Sequence, residues 1–237
     1  YYFCNEFKPS PFIAPFMTNF NEELDLNTKT HLSANYYRVS DKDYFKDIAQ
    51  TNTDEKTLKS YLKLTYNDEK NHFSSSLLTE DEQVVNAGVP VYTRAFEGSI
   101  SKTFNADKKI PIQVDLVRTK FAHDTASKET GVRTHGDLGI SRKLNTKFPV
   151  ITPRASASIT NYSLKNSPNI NRTILGSGVD IDFTVNRNGY LFGSEINHRL
   201  SPIISYNYRA KEVQGNIPIF DSTDKYADII TFADLTS

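Results

Sequence analysis

A chain of 237 residues with 28 basic and 28 acidic side chains carries no net charge, so no global field directs it toward nucleic acid. Its mean hydropathy is -0.51 and no apolar run approaches the ~18 residues a membrane helix requires, which excludes a helical membrane protein. Thirteen tyrosines and 15 phenylalanines, without tryptophan, leave a membrane β-barrel open, because barrel strands are half polar and Tyr and Phe alone can build interfacial girdles.

The only cysteine, Cys4, rules out an intrachain disulfide and reads as a buried or adventitious thiol. Residues 1–23 stay unassigned. Pro9, Pro11 and Pro15 punctuate them, which predicts an edge, a loop or a displaced end rather than an inner strand. The opening Tyr1-Tyr2-Phe3 has neither an initiator Met nor a signal sequence, so an internal fragment is expected.

From residue 24 onward a period of two takes over. Leu24, Leu26, Thr28, Thr30, Leu32, Ala34 and Tyr36 alternate with Asp25, Asn27, Lys29, His31, Ser33 and Asn35. Only a strand places alternate side chains on opposite faces, and a strand of this length suits a membrane crossing better than a soluble sheet. The pattern recurs over 58–66, 73–79, 89–104, 112–122, 132–140, 150–162, 173–185 and about 190–208. The intervening segments alternate in length, from the long 40–56, 80–88, 123–130 and 163–171 to the short 67–71, 105–109, 143–147 and 186–189. An up-and-down meander in a membrane sorts its connections this way, and a soluble sandwich has no reason to. The expected fold is all-β, an antiparallel meander forming part of a large transmembrane outer-membrane β-barrel, with residues 24–237 as the partial barrel domain. Leu26, Leu32, Leu62, Leu64, Val179, Ile181 and Phe183 belong on its outer face, and Lys29, His31, Lys59, Lys63, Asp180 and Asp182 on the lumenal one.

Candidate chemistry is sparse. Asp180 and Asp182 share a strand face; as a catalytic pair they need a positioned substrate, and as lumen-lining polar groups they need nothing further. His123-Asp124 and His135-Gly136-Asp137 each offer a base beside an acid, without a recognisable nucleophile. Glu80-Asp81-Glu82 could hold a divalent cation or be a solvated charge run. Gly176 and Gly178 lack a phosphate-loop context and mark close backbone approach or a kink. The five histidines have no metal-ligand spacing. No catalytic, cofactor or metal site is assigned.

Several segments, in order, resemble one family. Tyr37-Arg38-Val39-Ser40-Asp41-Lys42-Asp43-Tyr44-Phe45-Lys46-Asp47, Thr130-Gly131-Val132-Arg133, Pro149 to Tyr162-Ser163-Leu164, Asn171-Arg172-Thr173, and Leu200-Ser201-Pro202 through Asn216-Ile217-Pro218-Ile219-Phe220-Asp221-Ser222 are similar to the barrel of the LPS-assembly outer-membrane proteins of the LptD (organic solvent tolerance) family. The resemblance implies the middle of a very large barrel wall in the Gram-negative outer membrane that inserts lipopolysaccharide into the outer leaflet. It implies lipopolysaccharide, an LptE-like plug lipoprotein, outer-membrane lipid and periplasmic LPS-bridge proteins (through a missing N-terminal domain) as partners, and neither enzyme activity nor a cofactor. It carries no disulfide over to Cys4. The competing readings are an outer-membrane barrel enzyme of protease or phospholipase type, a general porin, and a soluble carbohydrate-binding sandwich.

Overall fold

The computed structural model describes residues 16–47, 56–86, 88–144, 146, 148–191, 194–210, 217–221 and 224. Among these lie twelve strands: β1 (Met17–Asn27), β2 (Thr30–Val39), β3 (Thr57–Asp68), β4 (Phe73–Val84), β5 (Thr93–Phe104), β6 (Ile112–Ala122), β7 (Gly131–Ser141), β8 (Val150–Leu164), β9 (Ile170–Asp182), β10 (Val185–Leu191), β11 (Ser194–Leu200) and β12 (Ile203–Arg209). One sheet of ten runs β1-β2-β3-β4-β5-β6-β7-β8-β9-β12, every pair antiparallel, while β10 and β11 form a separate hairpin. The expected meander is present, and β1 and β12 are its edges, matching the edges expected near Leu24 and Tyr206.

Alternation sorts the side chains as expected. On one face Leu24, Leu62, Leu77, Ile100, Leu116, Leu138, Ile159 and Leu175 are exposed apolar groups. On the other, register rows such as Ser76–Ser99–Val117–His135–Thr160–Arg172 are polar but for Val117 across β4 to β9. Rows perpendicular to the strands also change character along the sheet. One row passes from Leu24, Leu32, Leu64 and Leu77 through Gly98 to Arg118, Thr134, Asn161 and Asn171. Barrel strands tilt by about 35–45°, so each step of about 4.8 Å between strands shifts depth by roughly 3 Å, and one row leaves an apolar band as it crosses the sheet.

Three boundaries depart from the sequence pattern. The alternating run Leu24–Tyr36 is not one strand: β1 and β2 are joined at 28–29, where Asn27 Oδ1 accepts the Lys29 N–H at 2.8 Å. The alternation continued through the turn because paired residues share a face, and Leu24 opposite Leu32 preserves parity. Residues 17–23 accordingly belong to β1, at the sheet edge. The strand expected over about 190–208 is divided into the end of β10, β11 and β12, and the turn expected at Asn186–Gly189 lies inside β10. Asn188 there accepts from Asn197 at 2.7 Å across the hairpin. The length sorting of connections is clear for 28–29 against 40–56 and has gone by 142–149 against 165–169, because β8 continues to Leu164 and β9 begins at Ile170.

Among the described residues, packed cores form at the end carrying the connections 40–56, 85–92, 123–130 and 165–169. Val39, Phe45, Leu58 and Val85 make one, joined by Tyr37 and Tyr44. The β2–β3 ladder stops at Asn35, and side chains replace it. Ser60 Oγ accepts the Tyr37 N–H at 3.1 Å, and Gln83 Oε1 accepts the Val39 N–H at 2.9 Å, so the buried backbone stays paired. Phe121, Tyr162 and Phe220 make the second core.

Candidate functional site

The polar face carries a chain of charges across β3 to β8. Lys59 Nζ lies 2.9 Å from Glu80, which accepts two hydrogen bonds from the Arg94 fork at 2.6 and 2.9 Å. Arg94 also reaches Glu97 at 3.2 Å, and Glu97 accepts from Thr119 at 2.9 Å. Residues 94 and 97 should face opposite ways in a regular strand. A register shift between Arg94 and Phe96 brings them to one face, and Thr79 Oγ1 donates to the freed Ala95 carbonyl at 2.9 Å. No alternation argument could have found that pair.

The same register row, Glu97–Thr119–Arg133–Tyr162, continues into an anchor on the next strands. Arg133 forks onto Asp221 at 2.8 and 2.9 Å and reaches Asp224 Oδ1 at 2.9 Å. Tyr162 Oη donates to that same Asp224 oxygen at 2.6 Å, while the other Asp224 oxygen accepts the N–H groups of Phe220 and Asp221. The Arg133 guanidinium also sits 5.0 Å over the Phe121 ring, and Phe220 stacks on Phe121 at 4.6 Å. The Asp224 side chain is 1% exposed and that of Arg133 7%. Phe220, Asp221 and Asp224 follow β12, so the charges fasten that segment to the polar face of β6, β7 and β8. Arg133 and Asp221 stood in separate sequence segments, Thr130–Arg133 and Ile217–Ser222, and Asp224 in neither; nothing in one dimension joined them.

The sequence candidates resolve as follows. His135 and Asp137 do meet, at 2.8 Å from His135 Nε2, and His135 Nδ1 lies 2.8 Å from Thr160 Oγ1. This has the order of a nucleophile, base and acid. Thr160 is 1% exposed, however, its hydroxyl also accepts from Arg172 at 3.4 Å, and its backbone lies between the β7–β8 and β8–β9 ladders. His123 is elsewhere, its Nδ1 accepting the Thr125 N–H at 3.0 Å and its ring against Tyr92. Glu80, Asp81 and Glu82 lie in β4 rather than a loop. Glu80 is held on the polar face by Lys59 and Arg94, and Asp81 pairs with Arg38, which disperses the expected cation cluster. Among the described residues no group of three or more His, Cys, Asp or Glu is placed to hold a metal. Cys4 lies outside the described residues.

Asp180 pairs with Arg154 at 2.9 Å and accepts from Ser205 at 2.6 Å; Asp182 accepts the Thr184 N–H at 2.7 Å. With Lys143, Thr152 and Ser205 they line an open groove of about 450 Å³ on the polar face. Gly176 and Gly178 mark close approach: a Cβ would lie 2.5 Å from Ser156 Oγ at the first and 2.7 Å from the Tyr206 carbonyl at the second. In the loops, Glu129 accepts the Asn166 N–H and the Ser167 hydroxyl at 2.9 and 2.8 Å, which holds its carboxyl below the usual range. Burial and that carboxylate push the Tyr92 phenol up.

An antiparallel meander with an apolar surface on one side and a charge-laced polar surface on the other is a section of membrane β-barrel wall. The chain belongs to the LptD family, whose model, LPS transport system D, matches residues 15–229. It is 29% identical over 118 residues to the LPS-assembly protein LptD of Neisseria meningitidis serogroup B, covering 48% of this chain and 14% of that protein. Over 215 residues it is 26% identical to that of Thiobacillus denitrificans, covering 85% of the chain and 29% of the relative. For that of Hahella chejuensis the identity is 24% over 225 residues, with 86% and 28% covered. The chain spans less than a third of the length of these relatives.

Proposed function

We propose that this chain is a portion of the lumen wall of the outer-membrane machine that delivers lipopolysaccharide to the outer leaflet. Family membership supplies the substrate class, and the observation that carries the reading is the pair of opposed faces. Lipid requires an apolar surface, and passage or docking of a polar headgroup requires the serine, threonine and charge-pair rows on the other. The end bearing 40–56 is taken as extracellular and the turns 28–29 and 69–72 as periplasmic. Residues 24–237 are taken as one partial barrel domain that also holds residues 17–23. Among the described residues neither β1 nor β12 has a strand on its outer edge, whose backbone groups lipid cannot satisfy, so each is read as meeting a further strand. Polar-face contacts with a plug lipoprotein, and periplasmic delivery proteins upstream, follow from the same reading.

No chemistry is assigned to the wall. The His135–Asp137–Thr160 relay orders the face rather than attacking a substrate, since its hydroxyl is enclosed.

The test is site-directed photocrosslinking in cells that depend on the full-length protein. A photoreactive residue at Ser99 or Ser158, on the polar face, should capture lipopolysaccharide or a plug protein, and one at Ile100 or Ile159 should not capture the plug. The same capture from both faces would remove the proposal.

A further inference from the structure

The apolar face carries cations whose partners differ between its two ends. Among the described strands of the large sheet, Arg38, Lys102, Arg118 and Lys120 are the basic side chains on this face. Arg38 is paired with Asp81, and Lys102 donates to the Asn71 carbonyl. Arg118 and Lys120 are exposed, bracket the buried Thr119, and have no carboxylate beside them in the register. Arg118 faces Thr134, which faces Asn161, which faces Asn171, so hydrogen-bonding side chains continue the row over four strands. Lys120 lies between Phe96 and Val132, which can cover its aliphatic stem.

The next row on the same face, Leu116, Gly136, Ile159 and Thr173, brings exposed Leu116 and Ile159, and the row beyond it brings exposed Leu175 on β9. Arg118 and Leu116 are two residues apart, roughly 7 Å along a strand. A ligand that satisfies both zones must join an anion to hydrocarbon within that distance. An arginine fork with a neighbouring ammonium and neutral donors suits a phosphate. We propose that the loop-proximal outer surface of β6–β9 is a docking site for a lipid whose headgroup carries phosphate, with Arg118 and Lys120 on the phosphate and Leu116, Ile159 and Leu175 against the acyl chains. This rests on the reading that the apolar face meets the membrane. It places a lipid site on the outside of the wall, apart from the polar face already described.

The experiment uses the full-length protein, with whatever subunit it co-purifies with, in neutral-lipid nanodiscs. The probes are bisphosphorylated lipid A and the same acylated disaccharide without phosphates, their retention being measured by native mass spectrometry. Lipid A should be retained over its phosphate-free form, and Arg118→Gln with Lys120→Gln should weaken retention on the order of thirtyfold. Lys102→Gln should leave it unchanged, and Arg118→Lys with Lys120→Arg, which keeps both charges, should preserve most of it. Equal retention of lipid A by wild type and the double Gln variant, or of the two probes by wild type, overturns the site. Loss of polar-face crosslinks with intact lipid A retention on the outer surface strikes the transport reading alone.

Discussion

Arg133→Ala is the sharpest perturbation of the anchor. It removes a guanidinium that makes three hydrogen bonds to two carboxylates, one of them on a side chain only 1% exposed. Breaking a buried pair from one side costs about 3–5 kcal/mol, because the stranded carboxylates keep their desolvation penalty. That penalty falls on docking of the segment at Phe220–Asp224 and not on the barrel, whose ladders do not involve it. Hydrogen exchange reads it directly. The Phe220 and Asp221 N–H groups are held by Asp224 Oδ2 at 3.0 and 3.3 Å, and their protection should fall by a hundredfold or more, at about 1.4 kcal/mol per tenfold. Tyr162→Phe removes one hydrogen bond to the same carboxylate and should cost about 1 kcal/mol, roughly a fivefold loss. Arg133→Lys keeps the charge but not the fork, and should fall between the two. The β7 amides should stay protected in all three variants. Unchanged exchange at Phe220 and Asp221 in Arg133→Ala would refute the anchor.

Leu62→Arg, on the exposed apolar face, should lower folding stability in bilayers by about 2–4 kcal/mol if it lies at mid-bilayer, while Lys63→Arg on the opposite face changes little; equal urea midpoints would mean the faces are reversed. Gly178→Ala places a methyl group 2.7 Å from the Tyr206 carbonyl and should cost about 1–3 kcal/mol, with faster exchange confined to β9 and β12. The Glu129 clamp on Asn166 and Ser167 depends on pH: its folded pKa is depressed, so the stabilisation is complete above the ordinary value of 4.5 and is lost as pH falls through the folded value. Protection of the Asn166 amide relative to Glu129→Gln should therefore disappear on acidification, and a difference that persists at low pH would rule out the carboxylate as its cause. Under the proposed function, His135→Ala and Thr160→Val should leave lipopolysaccharide export by the full-length protein intact in cells; loss of export with a folded barrel would return the relay to consideration as chemistry.

What the sequence shows well is whatever repeats with the geometry of a strand. The two faces of β3 and of β6 to β9 follow from parity alone, because a period of two is the strand's own symmetry. The same symmetry hides turns. Paired residues across the β1–β2 hairpin share parity, so Leu24–Tyr36 kept alternating while the chain reversed at 28–29. Composition misled at Asn186–Gly189, where turn-forming residues lie in a paired strand because β11 supplies partners for their backbone groups.

The sites escaped for a different reason: each is made by an irregularity or by distance in the chain. Arg94 and Glu97 share a face only through the register shift at β5, and Arg133 meets Asp221 and Asp224 across 88 and 91 residues. The Arg118 row shows the same limit from the other direction. Arg118 and Lys120 stand in β6 beyond Ile112, Val114 and Leu116, which taken alone reads as an ordinary strand becoming polar at its end. Cross-strand register turns that into a row with Thr134, Asn161 and Asn171, bordered by exposed hydrocarbon. A strand tilted by about 40° carries each register row out of the apolar band over several neighbours, so the polar border is a property of the sheet's shear and belongs to no single strand. The side-chain chemistry of this face is therefore set between strands, by register, where alternation along one strand has no access.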